Sequence, residues 1–205
     1  EPDWLELVQE EVREAVADTP LKDAPMVAVS AVTGQGLDQL KAEIKKIALT
    51  IPPRPASGQA RMPIDRSFSA TGFGTVITGT LWNGMLHLGD VMELSPGETE
   101  TRIRNLQVHG KNVESASAGQ RVAVNLAGVE VAQAPKGGWL AAKGLLSPSY
   151  RLDVELTLLK HAKDVSQRER VHLHHGTCEA LGRMQLLDRE ELAAGDTCYA
   201  QIALE

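Results

Sequence analysis

Three prolines within four residues, Pro52, Pro53 and Pro55, followed by Ser57 and Gly58, divide this chain into two segments that no helix or central strand can bridge. Before the break, apolar residues recur at the helical period. In Asp3-Trp-Leu-Glu6 a capping residue stands three positions before a glutamate, and Leu5, Val8, Val12, Ala15 and Val16 continue one apolar stripe. Pro20 and Pro25 then lead into Met26–Val29, apolar at every position, as in a strand covered on both faces. The turn Ser30-Ala-Val-Thr-Gly-Gln-Gly36 follows, and Leu37, Leu40, Ile44 and Ile47 predict the buried stripe of a second helix. One strand cannot make a sheet, so this segment is expected to be the end of an α/β domain whose start precedes Glu1.

After the break the period changes to two. Short β-patterned runs near residues 62–69, 74–82, 86–94, 101–109 and 120–127, separated by Gly, Asn and Pro, predict a closed antiparallel barrel. A looser stretch, 143–149, precedes a clean alternation in which Leu152, Val154, Leu156 and Leu158 share one face. Val171 and Leu173, then Cys198, Ala200, Ile202 and Leu204, continue the β pattern to the last residue, so a second barrel is expected to be truncated. The expected division is 1–51 (α/β), 52–60 (linker), 61–142 (barrel), 143–149 (linker) and 150–205 (partial barrel), mainly β overall.

Composition narrows the function classes. With 42% hydrophobic and 23% charged residues, the 205-residue chain matches globular proteins rather than disordered tails. Its longest uncharged stretch, Ser67 to Gly89, is interrupted by Gly72, Gly74, Gly79 and Gly84 and is not a membrane helix. The start has neither the basic residues nor the apolar run of a secretory signal, and Cys178 and Cys198 are the only cysteines, so a cytoplasmic location is expected. A formal charge of -6 rules out a chain-wide cationic field for nucleic acid, leaving any RNA contact to a local patch.

Searches for a phosphate loop, for D-x-x-G and for N-K-x-D find none, and no nucleophile elbow or zinc-spaced cysteine pair is present. No catalytic residue is expected on this chain. Lys160, Lys163, Arg168 and Arg170 lie near His161, His172, His174 and His175, against only Asp164 and Glu169. Such a cluster suits phosphate contact or a solvated strand edge. His172 and His174 share a face and His175 the opposite one, which leaves a metal two ligands short, so no metal site is expected. In Arg121–Leu126, Val122, Val124 and Leu126 face the core, placing Arg121, Ala123 and Asn125 outside. Asp65-Arg66 interrupts a β-patterned run and suits a surface ion pair. As neighbours they face opposite ways in a regular strand, and both can line one pocket only at a bulge or strand end.

The run Ile64-Asp-Arg-Ser-Phe-Ser-Ala-Thr-Gly-Phe-Gly-Thr-Val-Ile-Thr-Gly-Thr80 resembles the opening of the second domain of translational GTPases, the barrel shared with elongation factor Tu. The D-R-x-F form, Ala118-Gly-Gln-Arg-Val-Ala-Val-Asn-Leu-Ala-Gly128 and Arg170-Val-His-Leu-His-His-Gly-Thr177 are similar, more narrowly, to the selenocysteine-specific elongation factors. Val29-Ser-Ala-Val-Thr-Gly34 resembles the last guanine-binding loop of the GTPase domain, so the likeness covers nearly the whole chain.

The resemblance implies an internal fragment of a GTPase that uses GTP and Mg, with its phosphate loop and switches before Glu1 and an mRNA-hairpin-binding domain after Glu205. This chain alone is expected to bind no cofactor and to be inactive. By the same resemblance, Ser30 and Ala31 belong to the guanine loop, with the Ala31 N–H contacting the guanine oxygen. Asp65, Arg66 and Arg121 match the aminoacyl pocket, and Lys160, Lys163, Arg168, Arg170, His172 and His174 lie in the barrel that contacts the tRNA backbone. The implied partners are selenocysteyl-tRNA, the ribosome and the selenocysteine mRNA hairpin, with no membrane. Elongation factor Tu tends to have acidic residues and an asparagine at the pocket positions, so two arginines reverse the sign there and favour an ionised selenol over a serine hydroxyl. Two alternatives remain: a general translation-factor barrel without selenocysteine specificity, and a protein-interaction barrel that binds no RNA.

Overall fold

In the computed structural model, residues 2–54 and 56–205 are described, and the chain divides into two compact units, Glu1–Pro53 and Arg54–Glu205. Pro55 and the Asp3 side chain lie outside the described residues.

The first unit holds α1 (Pro2–Val16) and α2 (Leu37–Thr50). Asp3 falls inside the first turn of α1 rather than before it, so the predicted cap position is displaced. The expected strand Met26–Val29 does not form. A strand exists only through hydrogen bonds to a neighbour, and this unit has no other strand among its described residues. The apolar stripes likewise lack a covering layer: Ile44 is 57% and Ile47 43% exposed, and Leu5, Val8 and Val12 are exposed too. Gly36, at φ 76°, is required, since a Cβ there would stand 2.1 Å from the Ala28 carbonyl oxygen.

In the second unit, the period-two sequence up to residue 141 becomes ten strands: β1 (Arg61–Pro63), β2 (Arg66–Ala70), β3 (Gly74–Thr80), β4 (Met85–His87), β5 (Val91–Ser95), β6 (Thr99–Val108), β7 (Lys111–Val113), β8 (Ser115–Ser117), β9 (Arg121–Leu126) and β10 (Trp139–Ala141). The main sheet runs β1-β10-β5-β6-β9-β3-β2, with every pairing antiparallel and β7 attached to β6. Its two edges, β1 and β2, belong to one run of chain, residues 61–70, which pairs with β10 at one end and β3 at the other. That run closes the barrel and removes its edges. A register shift between Ile103 and Asn105 bends β6 against β9, as closure requires. Met62, Ile64, Ile77, Leu106, Val122 and Leu140 are fully buried inside.

β11 (Arg151–Thr157), β16 (Thr197–Leu204), β14 (Cys178–Leu186) and β13 (Arg170–His175) form a four-stranded antiparallel sheet in that order, beside the short pair β12 (Val165–Ser166) and β15 (Glu191–Leu192). Met184, Leu186, Leu192, Cys198, Ala200 and Ile202 make its core, and Val154 and Leu156 pack on it as their alternation predicts. The turn between β13 and β14 docks on the closed barrel. There the Thr177 hydroxyl donates to the Ile64 carbonyl at 2.7 Å, and His175 packs against Trp82 and Trp139, whose rings meet edge to face at 5.0 Å. Among the described residues no helix is long and apolar enough to cross a membrane.

Candidate functional site

The closing run changes neighbours at Ile64 and Asp65. The Ile64 N–H donates to the Gly138 carbonyl and the Asp65 N–H to that of Thr78, each at 2.8 Å. Ile64 is sealed in the core, while Asp65, in the gap between β1 and β2, remains 33% exposed at its side chain. That gap is a strand end, where the strict alternation of neighbouring residues need not hold. Arg66, the first residue of β2, stands opposite Thr78 and shares its outer face, since the flanking Ile77 and Gly79 face the interior.

Arg121 opens β9 opposite Thr80. Its guanidinium pairs with the Asp65 carboxylate and lies 3.5 Å from the Thr78 hydroxyl. Arg66, exposed, makes no side-chain hydrogen bond or ion pair among the described residues. The three groups together carry one net positive charge. Asn125, expected on the outer face with Arg121, is buried and donates to the carbonyls of Phe73 and Thr75. Its amide secures the β2–β3 turn instead of meeting solvent.

Two recesses flank Asp65 and Arg121. One, of about 240 Å³, is lined by Thr78, Gln107, His109, Arg121 and Ala123. The other, of about 470 Å³, is lined by Asp65, Lys136, His174, Thr177, Cys178 and Glu179, and it opens where the β13–β14 turn meets the barrel. Gln107, His109 and Lys136 carry no motif in the sequence, and neither do the paired tryptophans. Their positions follow from strand pairings that a linear reading does not contain.

The basic segment is spread over three places. Lys160 and Lys163 sit in the loop after β11, Arg168 occupies a turn at φ 63°, and Arg170, His172 and His174 share one face of β13. Asp164 and Glu169 form no ion pair with Lys163, Arg168 or Arg170 among the described residues; their carboxylates accept the backbone N–H groups of Ala194 (2.8 Å) and Ser166 (3.2 Å). The counter-charges come from farther along the chain. Glu205 pairs with Arg170 at 2.5 Å and Arg183 at 3.6 Å, and Glu179 lies 3.1 Å from His172.

In the first unit, the Ser30 hydroxyl accepts the Thr33 N–H at 3.2 Å and the Gly34 N–H donates to the Ser30 carbonyl at 2.9 Å, which shapes the loop. Ala31 is exposed and its N–H has no partner among the described residues. A loop held by its serine with the next N–H open fits a contact to a base oxygen.

The class is set by the closed barrel, which carries a domain of the elongation factor Tu type. Residues 74–141 match the family Elongation factor Tu domain 2, with Arg121 inside that segment and Asp65 and Arg66 just before it. Over 203 residues the chain is 45% identical to the selenocysteine-specific elongation factor of Desulfomicrobium baculatum, covering 98% of this chain and 32% of that protein. Over 184 residues it is 33% identical to the Escherichia coli protein of the same name, covering 88% of this chain and 29% of the relative. The crystal structure of a bacterial selenocysteine-specific elongation factor superimposes with a TM-score of 0.80 at 27% identity, over 100% of this chain and 33% of that one. The apo form of translation elongation factor SelB from Methanococcus maripaludis shares the fold, with a TM-score of 0.79 at 24% identity over 98% and 47% of the two chains. Over nearly its whole length the chain is therefore similar to the selenocysteine-specific elongation factors, and it spans about a third of the length of these two curated relatives.

Proposed function

We propose that this chain is the part of a selenocysteine-specific elongation factor that receives the aminoacyl end and stem of selenocysteyl-tRNA, for GTP-dependent delivery to the ribosome. The observation that carries this reading is the cationic rim of the barrel. Arg121 is held by Asp65 and lines a recess, and Arg66 stands unpaired on the same outer face. A selenol is ionised at neutral pH and a serine hydroxyl is not, so a site with one net positive charge prefers the selenolate. Shape alone separates two side chains differing by one atom poorly.

In this reading residues 61–142 form the aminoacyl-binding barrel, 150–205 belong to the stem-binding barrel, and 143–149 connect them. Residues 1–51 contribute the guanine loop to a GTPase domain. Ser30 supports that loop and Ala31 offers its N–H to the base, while GTP and Mg are held chiefly by residues this chain does not contain. GTP supplies the free energy that commits delivery. The selenocysteine mRNA hairpin is met by another domain of the intact factor.

The test compares selenocysteyl-tRNA with seryl-tRNA on the intact factor across pH. The expected outcome is a preference for the selenocysteyl form at neutral pH that collapses as pH falls through the selenol pKa. Equal binding of both at neutral pH would instead indicate a general translation factor, and absence of aminoacyl-tRNA binding a protein-interaction barrel.

A further inference from the structure

We propose that His172, His174 and Glu179 form a binding site for a divalent transition-metal ion, Zn2+ first among them. His172 and His174 sit two residues apart on one face of β13, their rings nearly parallel with centroids 6.5 Å apart. Glu179, on β14, stands directly opposite His174 in the register and brings a carboxylate oxygen to 3.1 Å from His172 Nδ1. The three ligand atoms lie within 4.8 Å of one another.

Tetrahedral zinc with bonds of about 2.0–2.1 Å separates its ligand atoms by about 3.3 Å. The His172–Glu179 separation already matches. Rotation of the exposed His174 ring supplies the rest, at a cost limited to ordering one side chain. Two imidazoles and a carboxylate are a ligand set zinc takes in sites with an open fourth position. The antiparallel hairpin fixes the backbones that carry all three, so the site is largely organised before the ion arrives.

The surroundings are compatible with added charge. Arg170, two residues before His172, is paired with Glu205, and Glu179 itself offsets part of the ion's charge. His174 and Glu179 also line the 470 Å³ recess, so the fourth coordination position is accessible to water or to an oxygen ligand entering there. His175 is not a ligand, since it faces the opposite way and packs against Trp82 and Trp139.

Titration of the protein with Zn2+ against a chromophoric chelator, repeated with Co2+ while following its visible bands, tests the site. One ion per chain is expected, with Co2+ bands of tetrahedral or five-coordinate intensity. Loss of an outer-shell partner alone weakens metal sites by about 10–100-fold, so His172→Ala or His174→Ala should each cost at least about a hundredfold. Glu179→Gln should cost at least about tenfold, while His175→Ala and Cys178→Ser should leave binding unchanged. Circular dichroism establishes that each variant is folded. No binding by the wild type, undiminished binding in the folded His172→Ala and His174→Ala proteins, or loss in Cys178→Ser would each overturn the proposal.

Discussion

Asp65, just before β2, and Arg121, at the start of β9, form an ion pair across β3, which lies between β2 and β9. The pair costs Arg121 much of its net charge and fixes its orientation. It leaves Arg66 as the uncompensated cation of the rim.

The two arginines are therefore expected to differ when removed. A hydrogen bond to a charged group contributes about 1.5–3 kcal/mol, so Arg66→Ala in the intact factor should weaken selenocysteyl-tRNA binding roughly ten- to a hundredfold or more. Seryl-tRNA binding should be nearly unchanged. Arg121→Ala should cost more, since it also leaves the Asp65 carboxylate unpaired beside the cargo. Equilibrium filter binding with both charged tRNAs checks this, and equal losses for the two cargoes would assign the arginines to the tRNA end or the barrel.

Closure of the barrel depends on Gly79. A Cβ there would fall 2.1 Å from the Pro63 carbonyl oxygen and 2.9 Å from Met62 Cγ, and backbone at that distance cannot yield as a side-chain tip can. Gly79→Ala should therefore destabilise the protein by at least about 2 kcal/mol, within the range for overpacking a core. The urea midpoint should fall accordingly. A midpoint shift equivalent to less than about 0.5 kcal/mol, the scale of an ordinary surface substitution, would show that β1 and β3 can separate without cost.

Local chemistry made the barrel legible in the sequence. The alternation in Arg121–Leu126 and Arg151–Thr157 gives the right face at every core position, and the Asp65-Arg66 interruption coincides with the gap between β1 and β2. β14 was not legible. Its Cys178-Glu-Ala-Leu-Gly-Arg-Met-Gln-Leu186 is rich in good helix formers, and only pairing with β13 and β16 on either side holds it extended. Missing β14 also hid Glu179, and with it the third ligand that His172 and His174 lacked. The opposite error occurs at Met26–Val29, where an apolar run forms no strand because strand formation is a property of pairs.

The two cysteines should be distinguishable by reactivity. Cys198 is 3% exposed in the core of the second sheet, and burial pushes its thiol pKa up, with Asp188 adding to the effect. Cys178 is only half-buried, at the edge of the 470 Å³ recess. A thiolate-specific reagent at neutral pH should label Cys178 in the native protein and reach Cys198 only on unfolding. Mass spectrometry of the labelled peptides reads the order, and comparable rates at both sites would show that the second sheet opens readily.

The basic segment should divide by its counter-charges. Glu205 already neutralises Arg170, whereas the nearby Asp164 and Glu169 accept backbone N–H groups, and Lys163 and Arg168 make no ion pair among the described residues. Each phosphate contact contributes about 0.7–0.9 to the slope of log affinity against log salt. In the intact factor, Lys163→Ala combined with Arg168→Asn should therefore flatten the slope by about one to two units, whichever amino acid the tRNA carries. Asparagine is chosen because it tolerates the left-handed backbone at Arg168. Arg170→Ala should change the slope less, because releasing Glu205 leaves that carboxylate beside Arg183. Binding measured over a range of KCl concentrations decides it: an unchanged slope in the double variant would make Lys163 and Arg168 structural, and a larger change for Arg170→Ala would place the phosphate on the β13 face.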